Sequence, residues 1–174
     1  METPGPETGE EVPAGAEPRW LDAEDRAAWL SLMSLLIKLP AALDAQLQRD
    51  AGLSHFEYSV LAALSEVPDG SLRMSVLAAH ADGSLPRLSQ VVARLERRGL
   101  VRRTPDPEDG RYTLAVLTGA GRDTVVAAAP GHVETVRNLV FDPLTKPKTR
   151  QLRDICLRIL AAVDPGGHCF DHKR

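Results

Sequence analysis

One stretch of the sequence, residues 72–118, constrains the fold more than any other. It opens with a short apolar helical segment (74–81) and continues, after a break that contains glycine, into a second predicted helix (85–98). Two β-rich runs follow, at 100–104 and 112–117, separated by a turn dense in Pro, Asp and Gly. Helix, turn, helix and hairpin in this order predict a winged helix.

The second predicted helix has clear ends and two chemically different faces. Ser84 suits an N-cap, Pro86 is tolerated in a first turn, and Gly99 suits the residue that follows a helix. The apolar residues recur every three or four positions and predict one buried stripe: Leu85, Leu88, Val91, Val92 and Leu95. The other face carries Arg87, Gln90, Arg94 and Arg97, with Ser89 beside them. Such side chains reach phosphates and base edges in a major groove, although an ordinary solvated basic face has the same composition.

The helix and hairpin also carry motifs of a known family. The motifs are RLERRGLVRR at residues 94–103 and Asp109-Gly110-Arg111, closed by Leu117-Thr118 and Gly121-Arg122. They resemble the MarR (multiple antibiotic resistance regulator) family of bacterial winged-helix transcription factors, and the order of elements agrees from about residue 21 to residue 163. The resemblance implies that Asp109 orients the wing and that Arg111 reaches the minor groove. A narrow A·T-rich groove attracts a guanidinium, but an ordinary turn salt bridge, worth ~0–1 kcal/mol, fits the same pair.

The resemblance and the basic helix face together give one set of candidate DNA contacts. The set is Ser84, Arg87, Ser89, Gln90, Arg94, Arg97, Arg102, Arg103, Asp109 and Arg111. Pro86 stands where relatives often carry a polar or charged residue, so no base contact is expected from that position. Binding through this many arginines predicts a strong dependence on salt.

The segments on either side of the winged helix are predicted to be helical. A long helix from about Ala23 to Arg49 contains Pro40, and a helix to Glu66 follows a capping box at Ser54. After the hairpin, helices are predicted at 119–140, interrupted by a proline, and from 145 to 163. Their apolar faces have no other domain to cover them, and exposed patches of this kind mark association sites.

The predicted fold is therefore mainly α with a small β wing: a winged helix-turn-helix whose N- and C-terminal helices form an intertwined dimerisation domain, as the resemblance implies. The expected organisation is an acidic disordered tail (1–19), a helical dimerisation region (20–50 and 118–163), a DNA-binding domain (51–117) and a flexible tail (164–174).

The formal net charge of −3 argues against a nucleic-acid partner only until its distribution is considered. Residues 1–25 hold eight acids and one arginine, a net of −7, which leaves +4 for residues 26–174. Residues 84–112 hold seven arginines and four acids, a net of +3. Local fields govern the encounter with DNA, so the charge pattern agrees with a basic reading head.

The resemblance also implies a crevice for a small phenolic or anionic effector between the first helices. The candidate lining residues are Trp29, Met33, Tyr58, His132 and Arg137. Core packing and a surface arginine explain the same residues, so this assignment stays open.

No cofactor, metal set, catalytic arrangement or membrane span is predicted. The chain has no Gly-rich phosphate loop, no nucleophile with a base, and no long uninterrupted apolar run. Cys156 is expected to be a small buried hydrophobe on an apolar stripe, and Cys169 belongs to the tail. The N-terminus is acidic and does not resemble a signal peptide, which predicts a cytoplasmic protein.

The sequence thus predicts a homodimeric, sequence-specific regulator that binds a pseudo-palindromic operator in double-stranded DNA, with repression released by a small ligand. The alternative is a winged helix that serves as a protein-docking module without specific DNA binding. The basic face of residues 87–97 and the intact wing motif favour the first hypothesis.

Overall fold

The computed structural model of the protein describes residues 18–81 and 83–165. The chain divides into two compact units, Met1–Leu36 and Ile37–Arg174. The predicted tails, 1–19 and 164–174, lie almost entirely outside the described residues, and Cys169 lies there too. The predicted division of the chain by role, into a dimerisation region and a DNA-binding domain, stays a prediction.

The described residues form mostly helices, with a small sheet of three strands. The elements in chain order are α1 (Ala23–Ala51), α2 (His55–Glu66), β1 (Ser71–Arg73), α3 (Met74–His80), α4 (Leu85–Arg97), β2 (Val101–Pro105), β3 (Thr113–Leu117), α5 (Gly119–Val136), a π-helical segment (Arg137–Phe141) and α6 (Lys146–Val163). This order confirms the predicted sequence of helices and strands, except that α5 continues through Pro130, where an interruption was predicted.

The helix ends form as local sequence dictates. Ser54 and Glu57 make the predicted reciprocal capping box at the start of α2. The hydroxyls of Ser84 and Thr118 accept backbone N–H groups in the first turns of α4 and α5. Gly99 adopts a φ of 71° directly after α4, a left-handed conformation that costs glycine little. Local chemistry therefore fixes where these helices begin and end.

The sheet contains one strand more than the predicted hairpin. Its order is β1-β3-β2, and both pairings are antiparallel. The hairpin pairs Val101 with Leu117 and Pro105 with Thr113, and β1 pairs with the other edge of β3, Arg73 opposite Leu114. The entry segment at 72–73, predicted to be extended, thus becomes a strand because β3 offers it an unpaired edge.

The core lies between α2, α3, α4 and the sheet. Its members are Leu53, Val60, Leu61, Leu64, Leu77, Ala78, Leu88, Val91, Val92, Leu95, Leu100, Val101, Ala115 and Val125. Gly121 allows α5 to start close against this core, since a Cβ there would lie 2.1 Å from the Leu100 carbonyl oxygen. The helix-turn-helix, the wing and the start of α5 therefore share one packed interior.

The later helices present a different surface. The exposed apolar residues of α5, the π-helical segment and α6 include Val126, Val133, Leu139, Phe141, Ile155, Leu157, Ile159, Leu160 and Val163. Cys156, predicted to be buried, is exposed, because no other element of the described chain covers its face of α6. The apolar stripe exists as predicted, but this chain alone does not bury it.

The helix α1 is 29 residues long and runs through Pro40. It has the length and composition of a helix that could cross a membrane, with a mean hydropathy of 1.4 and no buried residue in its most apolar part. Only Gln46 and Leu47, near its C-terminal end, are buried. Length and composition alone are weak evidence for a membrane span, so the expected absence of a membrane partner stays a prediction.

Candidate nucleic-acid interface

The helix α4 buries one face and presents the other to solvent. Leu88, Val91, Val92 and Leu95 are buried, as their spacing predicted. Leu85, predicted to belong to the same stripe, is exposed, because the first turn of α4 lies beyond the edge of the core. The buried stripe fixes the rotation of the helix and therefore determines which side chains point outward.

The outward face contains most of the predicted DNA contacts on this helix. Ser84, Arg87, Gln90, Arg94 and Arg97 are exposed, whereas Ser89 is half-buried. Pro86 occupies the first turn, where no intrahelical N–H is needed. The face is thus a row of hydrogen-bond donors and acceptors with few competing apolar groups.

Two of these arginines are oriented by contacts with α2. The Arg87 guanidinium carbon lies 4.3 Å from the centroid of the Phe56 ring, a cation–π geometry. Gly83 makes room for that ring, since a Cβ there would lie 2.6 Å from Phe56 Cζ. The Arg94 Nε donates to Glu57 Oε1 at 3.3 Å. Both arginines stay exposed, so the contacts orient the side chains without hiding them.

Glu57 is a residue whose second role the sequence did not reveal. The residue is 7% exposed, and its carboxylate accepts the backbone N–H of Ser54 at 2.9 Å in the capping box. It also pairs with Arg94 and, at 3.9 Å, with Arg98. A buried carboxylate needs such partners, so this network ties α4 to the start of α2.

The tip of the wing has the predicted pair. Arg111 Nη2 lies 2.6 Å from Asp109 Oδ2, and Arg111 Nε lies 2.9 Å from Asp109 Oδ1. The guanidinium and the backbone N–H of Arg111 lower the pKa of the Asp109 carboxyl, which therefore stays ionised. The Arg111 side chain is 84% exposed, and its head extends from the tip of the hairpin.

The other arginines predicted to contact DNA lie at the end of α4 and on β2 of the wing. Arg97 and Arg102 are exposed. Arg103 is also exposed, and it pairs with Glu96 at 2.7 Å, lowering the pKa of that carboxyl. This pair joins β2 to the last turn of α4, so the wing and the helix keep a fixed relation.

The comparisons with known proteins agree with this geometry. Residues 51–111 match the model of the MarR family. Sco3205, a MarR family transcriptional regulator from Streptomyces coelicolor solved in complex with DNA, is 43% identical, with a TM-score of 0.83 over 87% of this chain and 95% of that chain. The chain belongs to the MarR family. AbsC, a second MarR family regulator from the same organism, is 34% identical, with a TM-score of 0.80 over 84% of this chain and 98% of its own.

A curated relative gives a shorter match. The transcriptional regulator HosA of Escherichia coli O111:H- is 35% identical over 74 residues, which are 42% of this chain and 53% of HosA. The match thus spans about half the length of that relative. Membership in the MarR family confirms the resemblance and the predicted fold. Because the family consists of transcriptional regulators, it also confirms the prediction that the chain is not an enzyme.

This MarR-family chain holds its wing with residues that the sequence did not single out. Arg73 Nε lies 2.6 Å from Asp106 Oδ2, and the Arg73 guanidinium carbon lies 4.6 Å from the centroid of the Tyr112 ring. Asp106 is 6% exposed although it lies in a surface turn. The one available signal was an Asp before Pro at a turn; its partner is 33 residues away and appears only once β1 joins the sheet.

Two of the five predicted effector residues come together. The rings of Tyr58 and His132 lie 4.6 Å apart, and His55 approaches His132 at 5.8 Å. Gln46 Oε1 lies 3.2 Å from His132 Nδ1. Burial lowers the pKa of both histidines. The charge of Asp44 opposes this shift at His55, whereas His55 adds to the lowering of the pKa of His132. Burial also raises the pKa of Tyr58, so the cluster is neutral near pH 7.

The other three predicted effector residues have separate surroundings. Trp29 is exposed and Met33 is half-buried, and both belong to the first compact unit. Arg137 is exposed and pairs with Asp142 at 3.1 Å. Whether any of the five contacts an effector stays a prediction.

A cavity of about 600 Å³ lies against α4, a size typical of small-molecule sites. It is lined by Pro40, Ala41, Asp44, Ser54, His55, Phe56, Arg87, Gln90, Val91 and Arg94. The wall from α4 therefore consists largely of residues predicted to contact DNA. Among residues 18–81 and 83–165 no group of three or more His, Cys, Asp or Glu side chains could hold a metal ion.

Proposed function

We propose that the protein is a homodimeric repressor that binds double-stranded DNA in a sequence-specific manner and acts in the cytoplasm. The observation that carries the proposal is the exposed Arg and Gln face of α4 above a fully buried apolar stripe. The wing beside it presents Arg111 almost entirely to solvent. The 43% identical relative Sco3205, which was solved in complex with DNA, supports the same use of this face.

The proposed contacts divide by chemistry. Base edges in the major groove are read from α4, by Ser84, Arg87, Ser89, Gln90 and Arg94. Phosphates are bound by Arg97, Arg102 and Arg103, which set register without carrying sequence information. The Asp109–Arg111 pair serves the minor groove, where Arg111 supplies the positive charge and Asp109 sets its direction.

The proposed dimer uses the apolar surface that the chain leaves exposed. One face of α6 carries Leu152, Ile155, Cys156, Ile159, Leu160 and Val163, at alternating steps of three residues and one. A second copy of the chain would cover this stripe together with exposed parts of α5 and α1. The same pairing explains the high hydropathy of α1 without a membrane. A two-fold dimer places its reading helices about 34 Å apart, which requires a pseudo-palindromic operator.

Release of DNA by a small effector is part of the proposal. The cavity beside α4 shares Arg87, Gln90 and Arg94 with the proposed DNA face. A phenolic or anionic ligand bound there would engage the side chains that DNA needs, so ligand and DNA would exclude each other. The Tyr58–His132 cluster is the second proposed effector site, and a ligand there would act by shifting the equilibrium between two conformations.

The test is fluorescence anisotropy on a duplex from the region immediately upstream of the protein's own gene. We expect saturable binding at least about 1,000-fold tighter than to an unrelated duplex of equal length, with a steep loss of affinity as salt rises. Sodium benzoate, and not neutral benzamide, should then dissociate the complex. Weak binding that is equal on both duplexes would contradict sequence-specific recognition at this site and favour the docking module.

A further inference from the structure

One side chain from outside the hairpin contacts both residues that flank the turn of the wing. Arg73 is the last residue of β1 and directly precedes α3, the first helix of the helix-turn-helix. Its guanidinium reaches across β3 to Asp106, at 2.6 Å, and lies over the ring of Tyr112. Asp106 and Tyr112 are the residues that follow β2 and precede β3, and they are joined by a backbone hydrogen bond of 3.0 Å. Arg73 thus contacts the hairpin at the level where its strands end.

The carboxylate that receives Arg73 also shapes the turn. Asp106 Oδ2 takes the Arg73 guanidinium, and Oδ1 accepts the backbone N–H of Glu108 at 2.9 Å. The Glu108 N–H and Arg73 together lower the pKa of the Asp106 carboxyl, so both contacts are made to an ionised group. With both oxygens engaged and little exposure, Asp106 links the direction of the turn to the position of Arg73.

Electrostatics gives Arg73 a second effect at the same place. The turn carries three carboxylates, Asp106, Glu108 and Asp109, which by themselves would be repelled by phosphates. Arg73 favours the ionised form of Asp109, whose partner Arg111 points outward. Arg73 therefore offsets part of the acidic charge under the turn, next to the exposed Asp109–Arg111 pair.

We propose that Arg73 is the positioning residue of the wing: through Asp106 and Tyr112 it fixes the direction in which Arg111 leaves the turn. In this proposal Arg73 acts through its contacts with Asp106 and the Tyr112 ring and not through a contact of its own with DNA. It also couples the wing to the helix-turn-helix, since its backbone begins α3. The inference rests on the proposed contact between the wing and DNA.

A double-mutant cycle between Arg73→Met and Arg111→Ala on the upstream duplex tests this. We expect each single variant to weaken binding at least about fivefold, the loss of one specific contact. The double variant should bind no more weakly than Arg111→Ala alone, because both changes remove the same contact. Additive losses, or an Arg73→Met protein with unchanged affinity, would overturn the proposal. Arg153→Met, which removes an arginine from an ion pair on α6, is the control and should leave affinity unchanged.

Base-pair swaps in the operator flank separate positioning from a general loss of structure. Replacing A·T by I·C keeps the minor groove free of the guanine amino group, and replacing it by G·C adds that group. The unchanged protein should bind A·T and I·C flanks alike and G·C flanks more weakly. Arg73→Met should bind all three alike while still discriminating base pairs that α4 reads. Equal loss of discrimination in both grooves would mean that Arg73 only supports the fold.

Hydrogen exchange without DNA keeps the two proposals distinguishable. Arg73→Met should speed exchange at the amides of Asp106, Glu108 and Tyr112 and leave the amide of Leu95 in α4 unchanged. If the unchanged protein shows no specific DNA binding, the proposed function fails, but this measurement still decides whether Arg73 holds the wing. If Arg73→Met does not fold, Asp106→Asn must give the same pattern, and an unaltered wing in that variant would overturn the proposal.

Discussion

The winged helix and the last helix carry similar apolar residues, but these residues are buried in the winged helix and exposed in α6. In the winged helix, Leu64, Leu88 and Leu95 are fully buried by partners within the chain. In α6, Ile155 and Leu160 are about half exposed, although their spacing predicts a buried stripe equally well. The difference shows that an apolar stripe predicts only which face of a helix is to be buried. Whether the same chain or another chain buries that face depends on which elements pack against it.

The ion pairs of the two regions differ in the same sense. In the winged helix two of them join distant elements: Glu57 to Arg94, 37 residues apart, and Arg73 to Asp106. In α6 the pair is between neighbours, Arg153 and Asp154. The first kind constrains how elements pack, whereas the second contributes little beyond local charge balance. Ion pairs between elements thus hold the winged helix together, whereas among the described residues α6 forms no ion pair with another element.

The largest effect is expected from a substitution that disrupts the proposed dimer contact of α6. Ile159→Glu places a charge in the stripe, and burial of an isoleucine contributes about 1.5–3 kcal/mol. In a two-fold dimer both copies carry the substitution, so its cost applies twice and we expect the dissociation constant of the dimer to rise by about 100-fold or more. Light scattering should show a mass near 18.9 kDa where the unchanged protein gives twice that value.

The exposed thiol of Cys156 gives an independent readout of the same change, because it lies in this stripe. It should react slowly with a thiol reagent in the dimer and at least about tenfold faster in Ile159→Glu. Arg158→Glu, on the opposite side of α6, is the matched control and should leave both the mass and the reaction rate unchanged. A dimer that survives Ile159→Glu would remove this stripe from the interface.

A smaller effect tests whether the core of the winged helix is buried by this chain alone. Leu88→Ala empties a fully buried site, and we expect the free energy of unfolding to fall by about 2–5 kcal/mol in urea titrations. Leu157→Ala, on α6 and outside the stripe, should change it by less than about 0.5 kcal/mol. Equal losses in the two variants would show that Leu157 is covered by a second chain, and the interface would have to be redrawn.

The smallest effect compares two helix caps. Ser54 bonds to the first turn of α2, whereas Thr145, the corresponding residue of α6, makes no side-chain cap hydrogen bond. Ser54→Ala should therefore cost about 1 kcal/mol of stability and Thr145→Ala close to none, both read from the urea midpoint. If Thr145→Ala were the more costly change, α6 would be stabilised by its own end and not by a partner.

Much of this molecule was readable from the sequence because the relevant physics is local. Ser54 and Glu57 are three residues apart, and Thr118 and Gly99 act on the helices they adjoin, so each end could be predicted by itself. The 3.6-residue period predicted the buried stripe of α4, and the family resemblance predicted the Asp109–Arg111 pair at the wing tip. These features depend on no distant partner.

The tertiary structure alone decided what lies next to what across the chain. Arg73 and Asp106 meet because β1 pairs with β3, and Glu57 meets Arg94 because α2 packs against α4. No spacing in the sequence encodes either approach. The exposure of Cys156 and Leu85, both predicted to be buried, has the same origin. Periodicity says which face of a helix is apolar, and only the assembled fold says whether anything covers it.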